Sequence, residues 1–165
     1  MIALGGKVAV VTGGGRGIGA ATARLLATAG ADVVIGYRAR AAEAEAVAAE
    51  CRTAGVRATT FAADLGARGA ADALMAHAVA AMGGVDLVVA NAGCWPTEAV
   101  PLAEMSDARW EETQAQNWSA TFHLARAAAR TVRDHGRLVF VSSTAGQRGE
   151  AFHADYAAAK GAMIS

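Results

Sequence analysis

The chain has 165 residues, balances 15 Lys and Arg against 15 Asp and Glu, and is 54% hydrophobic. That length suits one domain with a real core, and the zero net charge excludes the basic surplus that a nucleic-acid or anionic-membrane binder needs. Cys51 and Cys94 have no paired spacing, and His77, His123, His135 and His153 are scattered, which argues against a disulfide framework or a metal site. The stretch Met1–Lys7 lacks the charged start and apolar stretch of a signal peptide, and the apolar runs are too short to span a membrane. A cytoplasmic location is therefore expected.

Val8–Val11 reads as a buried strand, followed by a helix from Gly17 to Ala29 that stops at Gly30. Asp32–Ile35 is a second strand. A helix over Ala41–Ala54 ends at Gly55, and Arg57–Phe61 is the third strand. A helix over Arg68–Met82 ends at Gly83-Gly84, and Val85–Ala90 is the fourth strand. One long helix is expected over Asp107–Arg133, a fifth strand over Arg137–Ser142, and a last helix from Asp155. Strands apolar on both faces, separated by helices, indicate a parallel sheet covered on both sides. Right-handed crossovers favour an α/β doubly wound, Rossmann-like fold in strand order 3-2-1-4-5, as a single domain over residues 1–165.

The first strand runs into Thr12-Gly13-Gly14-Gly15-Arg16-Gly17-Ile18-Gly19. Glycines there let the backbone turn tightly and approach a pyrophosphate, and the next helix offers its free N–H groups to that anion. A glycine turn alone can be only a tight connection; its place between a strand and a helix is the context a dinucleotide site requires. The spacing Gly13-x-x-x-Gly17-x-Gly19, preceded by Thr12, resembles the short-chain dehydrogenase/reductase family. The end of the second strand carries Tyr37 and Arg38 where an NAD site places a carboxylate. Arg38 and Arg16 can pair with a 2′-phosphate, so NADP(H) is expected in preference to NAD(H). By the same resemblance, Asp64-Leu65 contacts the adenine, and Asn91-Ala92-Gly93 lines the cofactor site. The family often has an asparagine where Ala90 stands.

Tyr156 and Lys160 are four residues apart at the start of a helix and share one face. A free phenol has a pKa of about 10, and a nearby ammonium favours its ionised form. The pair can thus give a proton to a carbonyl oxygen and recover it. Ser143, at the carboxyl end of the fifth strand, is placed to hydrogen-bond that oxygen, whereas Ser142 alternates to the other face. The resemblance makes Asn117 the fourth catalytic residue, binding a water that links Lys160 to solvent. It covers Lys7 to Ser165, and Gly136–Ser143 and Tyr156–Met163 look most like 3-oxoacyl-acyl-carrier-protein reductase-like members. The implied reaction is hydride transfer between NADP(H) and a small carbonyl or alcohol substrate, with Tyr156 and Lys160 also contacting the cofactor, Lys160 at the nicotinamide ribose, and with no nucleic-acid or membrane partner. A non-catalytic NADP(H)-binding fragment or sensor module is the alternative, and a sugar-nucleotide epimerase is disfavoured by the glycine spacing.

Family members continue past Ser165 with further strands and a mobile loop. This leads to the expectation of a C-terminally incomplete domain, with a bare fifth-strand edge, weak or no activity, and a tendency to aggregate. Val139 and Val141, or Leu138 and Phe140, are expected to lose cover. The homo-oligomer usual for the family is not expected of this chain, because one of the helices that build it is cut. Cys94, Trp95, Gln147, Arg148 and Phe152 lie on loops facing a substrate, although Cys94-Trp95 is read first as a loop packed against its own sheet.

Overall fold

A computed structural model describes residues 3–165; Met1 and Ile2, part of the N-terminal stretch read above, lie outside the described residues. Strands β1 (Val8–Thr12), β2 (Asp32–Tyr37), β3 (Ala58–Ala62), β4 (Val85–Ala90) and β5 (Val132–Phe140) form one sheet in the order β3-β2-β1-β4-β5, parallel throughout. This is the expected order. The helices are α1 (Gly17–Thr28), α2 (Ala41–Thr53), α3 (Ala70–Met82), α4 (Asp107–Gln114), α5 (Ala120–Thr131), α6 (Thr144–Arg148) and α7 (Ala154–Ile164). Because β1 pairs with β2 on one side and β4 on the other, the chain reverses direction across the sheet there. The loops after β1 and β4 splay apart at that switch and leave a crevice at the carboxyl ends.

Alternation along the strands divides the core. Val10, Val34 and Val88 pack with Leu74, Met75 and Leu124 of α3 and α5. Val11, Val33, Ile35 and Val89 pack with Ala23, Ala27 and Val47 of α1 and α2. Full burial of one such Val, Leu or Ile side chain stabilises the fold by about 1.5–3 kcal/mol. The abundant alanines let the helices sit close: a Cβ at Gly15 would come within 3.1 Å of the Ala44 nitrogen.

Three expectations are corrected. The long helix over Asp107–Arg133 is two helices, α4 and α5, joined by a π-helical turn at Ala115–Ser119. Within it the Asn117 side-chain amide donates to the Thr113 carbonyl (3.0 Å), and the Thr121 hydroxyl donates to the Asn117 carbonyl (2.7 Å). Side chains thus take carbonyls that a regular ladder would use, and one extra residue enters the turn. Strand β5 begins earlier and ends earlier than Arg137–Ser142. Val132 already pairs with Val85, and an irregularity between Val85 and Leu87 precedes the regular register from Arg137 to Phe140. His135 takes a positive φ of 65° in that irregular stretch. Finally, β3 starts at Ala58 because Arg57 is engaged by Asp32, which accepts from both its backbone and its guanidinium.

Strand β5 is an edge of the sheet. Val139 and Phe140, one from each face, are 52% and 42% exposed, while Leu138 and Val141 pack against the two cores. The pair losing cover is therefore neither of the two expected. Among the described residues both cysteines are free, no group of His, Cys, Asp or Glu is arranged to hold a metal ion, and no helix is long and apolar enough to cross a membrane.

Candidate active site

A cavity of about 570 Å³ opens at the switch between β1 and β4. It runs from Arg16, Gly17 and Ile18, past Arg38 and Arg40 after β2 and Asp64 and Leu65 after β3, to Asn91, Ala92, Gly93 and Cys94 after β4. Gly13, with φ +63°, lines it. The side chain of Arg16 does not cap α1, so the first N–H groups of that helix have no side-chain acceptor at the cavity's edge. A Cβ at Gly19 would stand 2.4 Å from the Gly13 carbonyl oxygen and 2.5 Å from Asn91 Nδ2, so only glycine lets the turn close.

Thr12, Gly19, Tyr156 and Lys160, all read as cofactor contacts, are not among the lining residues. Thr12 is buried. Its hydroxyl donates to the Val89 carbonyl (3.2 Å) and accepts from the backbone N–H groups of Asn91 and Ala92 (3.1 Å each). Asn91 returns the tie, its side-chain amide donating to the Thr12 carbonyl at 2.9 Å. These two residues lock the loops after β1 and β4 together, and Ala90 leaves that lock intact.

At the other end of the cavity, no carboxylate follows β2 until Glu43 in the first turn of α2, which pairs with Arg40 at 3.0 Å. The Arg40 guanidinium beside Glu43 holds that carboxyl below its usual range. Arg40 was not singled out from the sequence; its signal was its place two residues beyond Arg38. Asp64 accepts from the Gly66 N–H at 3.1 Å, which shapes the loop that contributes Leu65 and Gly66 to the wall.

Gly93 separates the cavity from α7, none of whose residues lines it. A Cβ at Gly93 would lie 2.8 Å from Asn117 Oδ1 and 3.2 Å from Lys160 Nζ, so the missing side chain makes room for both polar heads. Asn117 is fully buried in the π turn and grips the loop after β4, accepting from the Cys94 N–H (3.1 Å) and donating to the Cys94 carbonyl (3.0 Å). Lys160 Nζ donates to the Val141 carbonyl at 3.0 Å and stands 5.7 Å from the Tyr156 ring centroid. Burial pushes the Lys160 ammonium below its ordinary value, because desolvation disfavours the charged form.

Ser143 caps α6, its hydroxyl accepting from the Ala145 N–H at 3.2 Å. Ser142, set aside from the sequence, donates to the Lys160 carbonyl at 2.7 Å and ties β5 to α7. Helix α6, absent from the sequence reading, packs directly on α7. A Cβ at Gly146 would meet the Lys160 carbonyl carbon at 2.5 Å.

Trp95 does not pack against the sheet as first read. It is 45% exposed, stacked on His153 at 4.2 Å and edge-on to Tyr156 at 4.8 Å. His153 is held by the carbonyls of Ala151 and Pro96, both at 3.0 Å. Asp155, which precedes Tyr156, is fully buried and paired with Arg109 of α4 at 3.0 Å; nothing in the spacing of the sequence linked these two.

A parallel sheet with a glycine-lined crevice at its switch point, flanked by a helix N-terminus, defines a dinucleotide-binding α/β protein. Residues 7–165 match the sequence model of the short chain dehydrogenase family, and the chain belongs to that family. Among relatives, hydroxyacyl-CoA dehydrogenase ChsB1 of Mycobacterium tuberculosis is 41% identical over 98% of this chain and 55% of its own length. Versicolorin reductase stcU of Emericella nidulans is 40% identical over 97% of this chain and 60% of its own. A short chain dehydrogenase of Burkholderia cenocepacia in complex with NADP superposes with a TM-score of 0.92 at 39% identity, covering 98% of this chain and 65% of that one. A xylitol dehydrogenase with NAD+ bound superposes at 0.91 with 30% identity, covering 97% and 62%. The chain thus spans between about half and two thirds of the length of these relatives.

Proposed function

We propose that this chain carries the cofactor-binding and catalytic part of an oxidoreductase that moves a hydride between NADP(H) and a carbonyl or alcohol substrate, with Tyr156 as the acid/base. The observation that carries the reading is the close approach at Gly93, which lines the cavity: a Cβ there would lie 3.2 Å from Lys160 Nζ, which stands 5.7 Å from the Tyr156 ring centroid. The residues present fit a nicotinamide dinucleotide. Gly13 and Gly19 hold the turn close enough for a pyrophosphate, and Arg16 and Arg38 offer cations to a 2′-phosphate. Arg40 adds a third guanidinium on the same rim. When bound, the nicotinamide supplies the hydride chemistry.

The chain's own residues do the rest. Tyr156 Oη gives its proton to the substrate oxygen and recovers it in the reverse direction. Ser143 Oγ, whose position is set by the α6 N-terminus, donates a hydrogen bond to that oxygen. Lys160 Nζ, oriented by the Val141 carbonyl, stabilises the phenolate as it forms. Asn117 Oδ1 faces the same ammonium across Gly93 and offers the first acceptor on a proton path outward. The relative named as a hydroxyacyl-CoA dehydrogenase makes an oxoacyl thioester the first substrate to try.

The test is NADPH oxidation, followed at 340 nm, with a panel of ketones and 3-oxoacyl thioesters. Weak turnover by the parent chain and none by Tyr156→Phe, with NADPH affinity retained, is the expected result. Turnover that survives Tyr156→Phe would overturn the acid/base assignment. NADPH binding without turnover on every substrate would leave a dinucleotide-binding module.

A further inference from the structure

Tyr156 is preceded by a carboxylate that has no water around it. Asp155 is fully buried, and its Oδ1 accepts from the backbone N–H of Tyr156 at 2.9 Å. Its Oδ2 accepts from Arg109 Nε at 3.0 Å and from the Thr113 hydroxyl at 2.9 Å. Burial opposes ionisation here, yet the hydrogen bonds from Arg109, Thr113 and the Tyr156 N–H outweigh it and hold the carboxyl below its ordinary value. Asp155 is therefore held ionised, and because its Oδ1 sits on the Tyr156 N–H its charge lies close to the side chain whose phenol has to become a phenolate.

Two neutral groups already fasten this end of α7 to α4. Thr113 binds the Asp155 carboxylate, and Gln114 Nε2 donates to the Asp155 backbone carbonyl at 2.8 Å. A tether does not need a desolvated guanidinium as well. Arg109 is only 15% exposed, and its Nη2 is buried with no hydrogen-bond partner among the described residues. That geometry costs stability, and what it adds over Thr113 and Gln114 is charge. The nearby Glu98, 3.8 Å from Arg109 Nη1, is 82% exposed and mostly screened by solvent.

We propose that Arg109 is a charge-compensating positioning residue for Tyr156: by cancelling the buried carboxylate of Asp155, it lets a negative charge form on the adjacent phenol. The proposal rests on the acid/base reading of Tyr156 and goes beyond it. The other charged or titratable groups around the phenol are Lys160 on its own helix, 5.7 Å from the ring centroid, and His153, which reaches it through Trp95. Both are kept unchanged in sequence in every variant compared below.

The sequence holds only two tyrosines, Tyr37 and Tyr156. In a Tyr37→Phe background the ultraviolet transition of tyrosinate at 295 nm therefore reports Tyr156 alone, whether or not the chain turns over. Arg109→Met leaves the carboxylate uncompensated and moves the midpoint up by about one pH unit; Asp155→Asn leaves the guanidinium uncompensated and moves it down by about as much. The double variant returns towards the parent, and Arg109→Lys stays near it. Opposite signs cannot arise from a common loosening of α7. Shifts of the same sign, or none, overturn the proposal. Should Arg109→Met fail to fold, the Asp155→Asn arm decides alone, a downward shift supporting the proposal and an unchanged midpoint overturning it. The acid/base reading itself falls only if Tyr156→Phe keeps its turnover, so the two failures are separable.

Discussion

Gly146 and Gly161 face each other across the α6–α7 contact, and the structure predicts opposite outcomes for the same substitution at the two positions. A Cβ at Gly146 would lie 2.5 Å from the Lys160 carbonyl carbon and 2.7 Å from both the Gly161 nitrogen and the Lys160 carbonyl oxygen. Carbon atoms rest about 3.5–4.0 Å apart, so α6 has to retreat by about 1 Å from a backbone that cannot rotate away. Overpacking of this kind costs about 1–3 kcal/mol. For a chain of this length each kcal/mol lowers the melting temperature by about 2–4 °C, so Gly146→Ala is expected to lose roughly 2–12 °C. Because α6 begins directly after Ser143, the retreat shifts that hydroxyl relative to Lys160, and a displacement of this size costs about 100-fold in turnover. NADPH affinity should hold within about twofold, since no α6 residue lines the cavity. At Gly161 a Cβ would meet only the Gly146 carbonyl oxygen, at 3.4 Å, an ordinary contact inside α7. Gly161→Ala should therefore be neutral or gain up to about 1 kcal/mol of helix propensity. Thermal melts at 222 nm, an NADPH titration and kcat on one active substrate measure all of this. An unchanged melting temperature for Gly146→Ala, or an equal loss for Gly161→Ala, would refute the packing argument.

Thr12→Val removes the acceptor of two backbone N–H groups that join β1 to β4 and should cost about 2–4 kcal/mol, read as a lower urea midpoint at an unchanged m value; a loss under 1 kcal/mol would show that the loops are locked by other means. Arg38→Glu should weaken NADPH binding by about 10–100-fold while leaving NADH within about threefold, and equal weakening of both would remove Arg38 from the 2′-phosphate site. Asp155 has its folded pKa held below 3.8, so it contributes stability above pH ~4 that is lost as pH falls through the lower folded value. Asp155→Asn should flatten that part of the stability curve between pH 7 and 3, and identical slopes for parent and variant would contradict the assignment.

Much of the fold could be read from hydrophobic patterning, because Val10 and Val11, or Val33 and Val34, are apolar on both faces only if helices cover both sides of the sheet. The short-chain dehydrogenase resemblance lay in the glycine spacing and in Tyr156 and Lys160. What escaped was decided by tertiary contacts. The π turn at Ala115–Ser119 is set by the side-chain hydrogen bonds of Asn117 and Thr121 to backbone carbonyls, which hydrophobic patterning does not register. The early start of β5 depends on Val132 reaching Val85, a partner 47 residues away that local propensity does not see. Ser142 and Ser143 were assigned by strand alternation, but the strand ends at Phe140, so the alternation rule no longer governs which way they point. Arg109 and Asp155 are 46 positions apart, and only the packing of α4 on α7 brings their charges together.

The inner end of the cavity is built largely by backbone approach. Gly93 yields its Cβ volume to Asn117 Oδ1 and Lys160 Nζ, and behind it Gly146 yields its own to the Lys160 carbonyl. Such contacts leave little room for water beside Lys160, which is 3% exposed and whose ammonium burial has pushed below its ordinary value. An ammonium so desolvated is stabilised chiefly by what it can reach: the Val141 carbonyl, the Asn117 amide oxygen and any negative charge that forms on Tyr156. The same close packing that makes the lysine costly to keep charged also raises its attraction for a phenolate, because a low local dielectric strengthens both terms. Asp155 would compete for that role as a second anion beside the phenol. Its pairing with Arg109 keeps the lysine's field directed at Tyr156, so the ion pair between α4 and α7 and the glycine at position 93 serve one electrostatic arrangement.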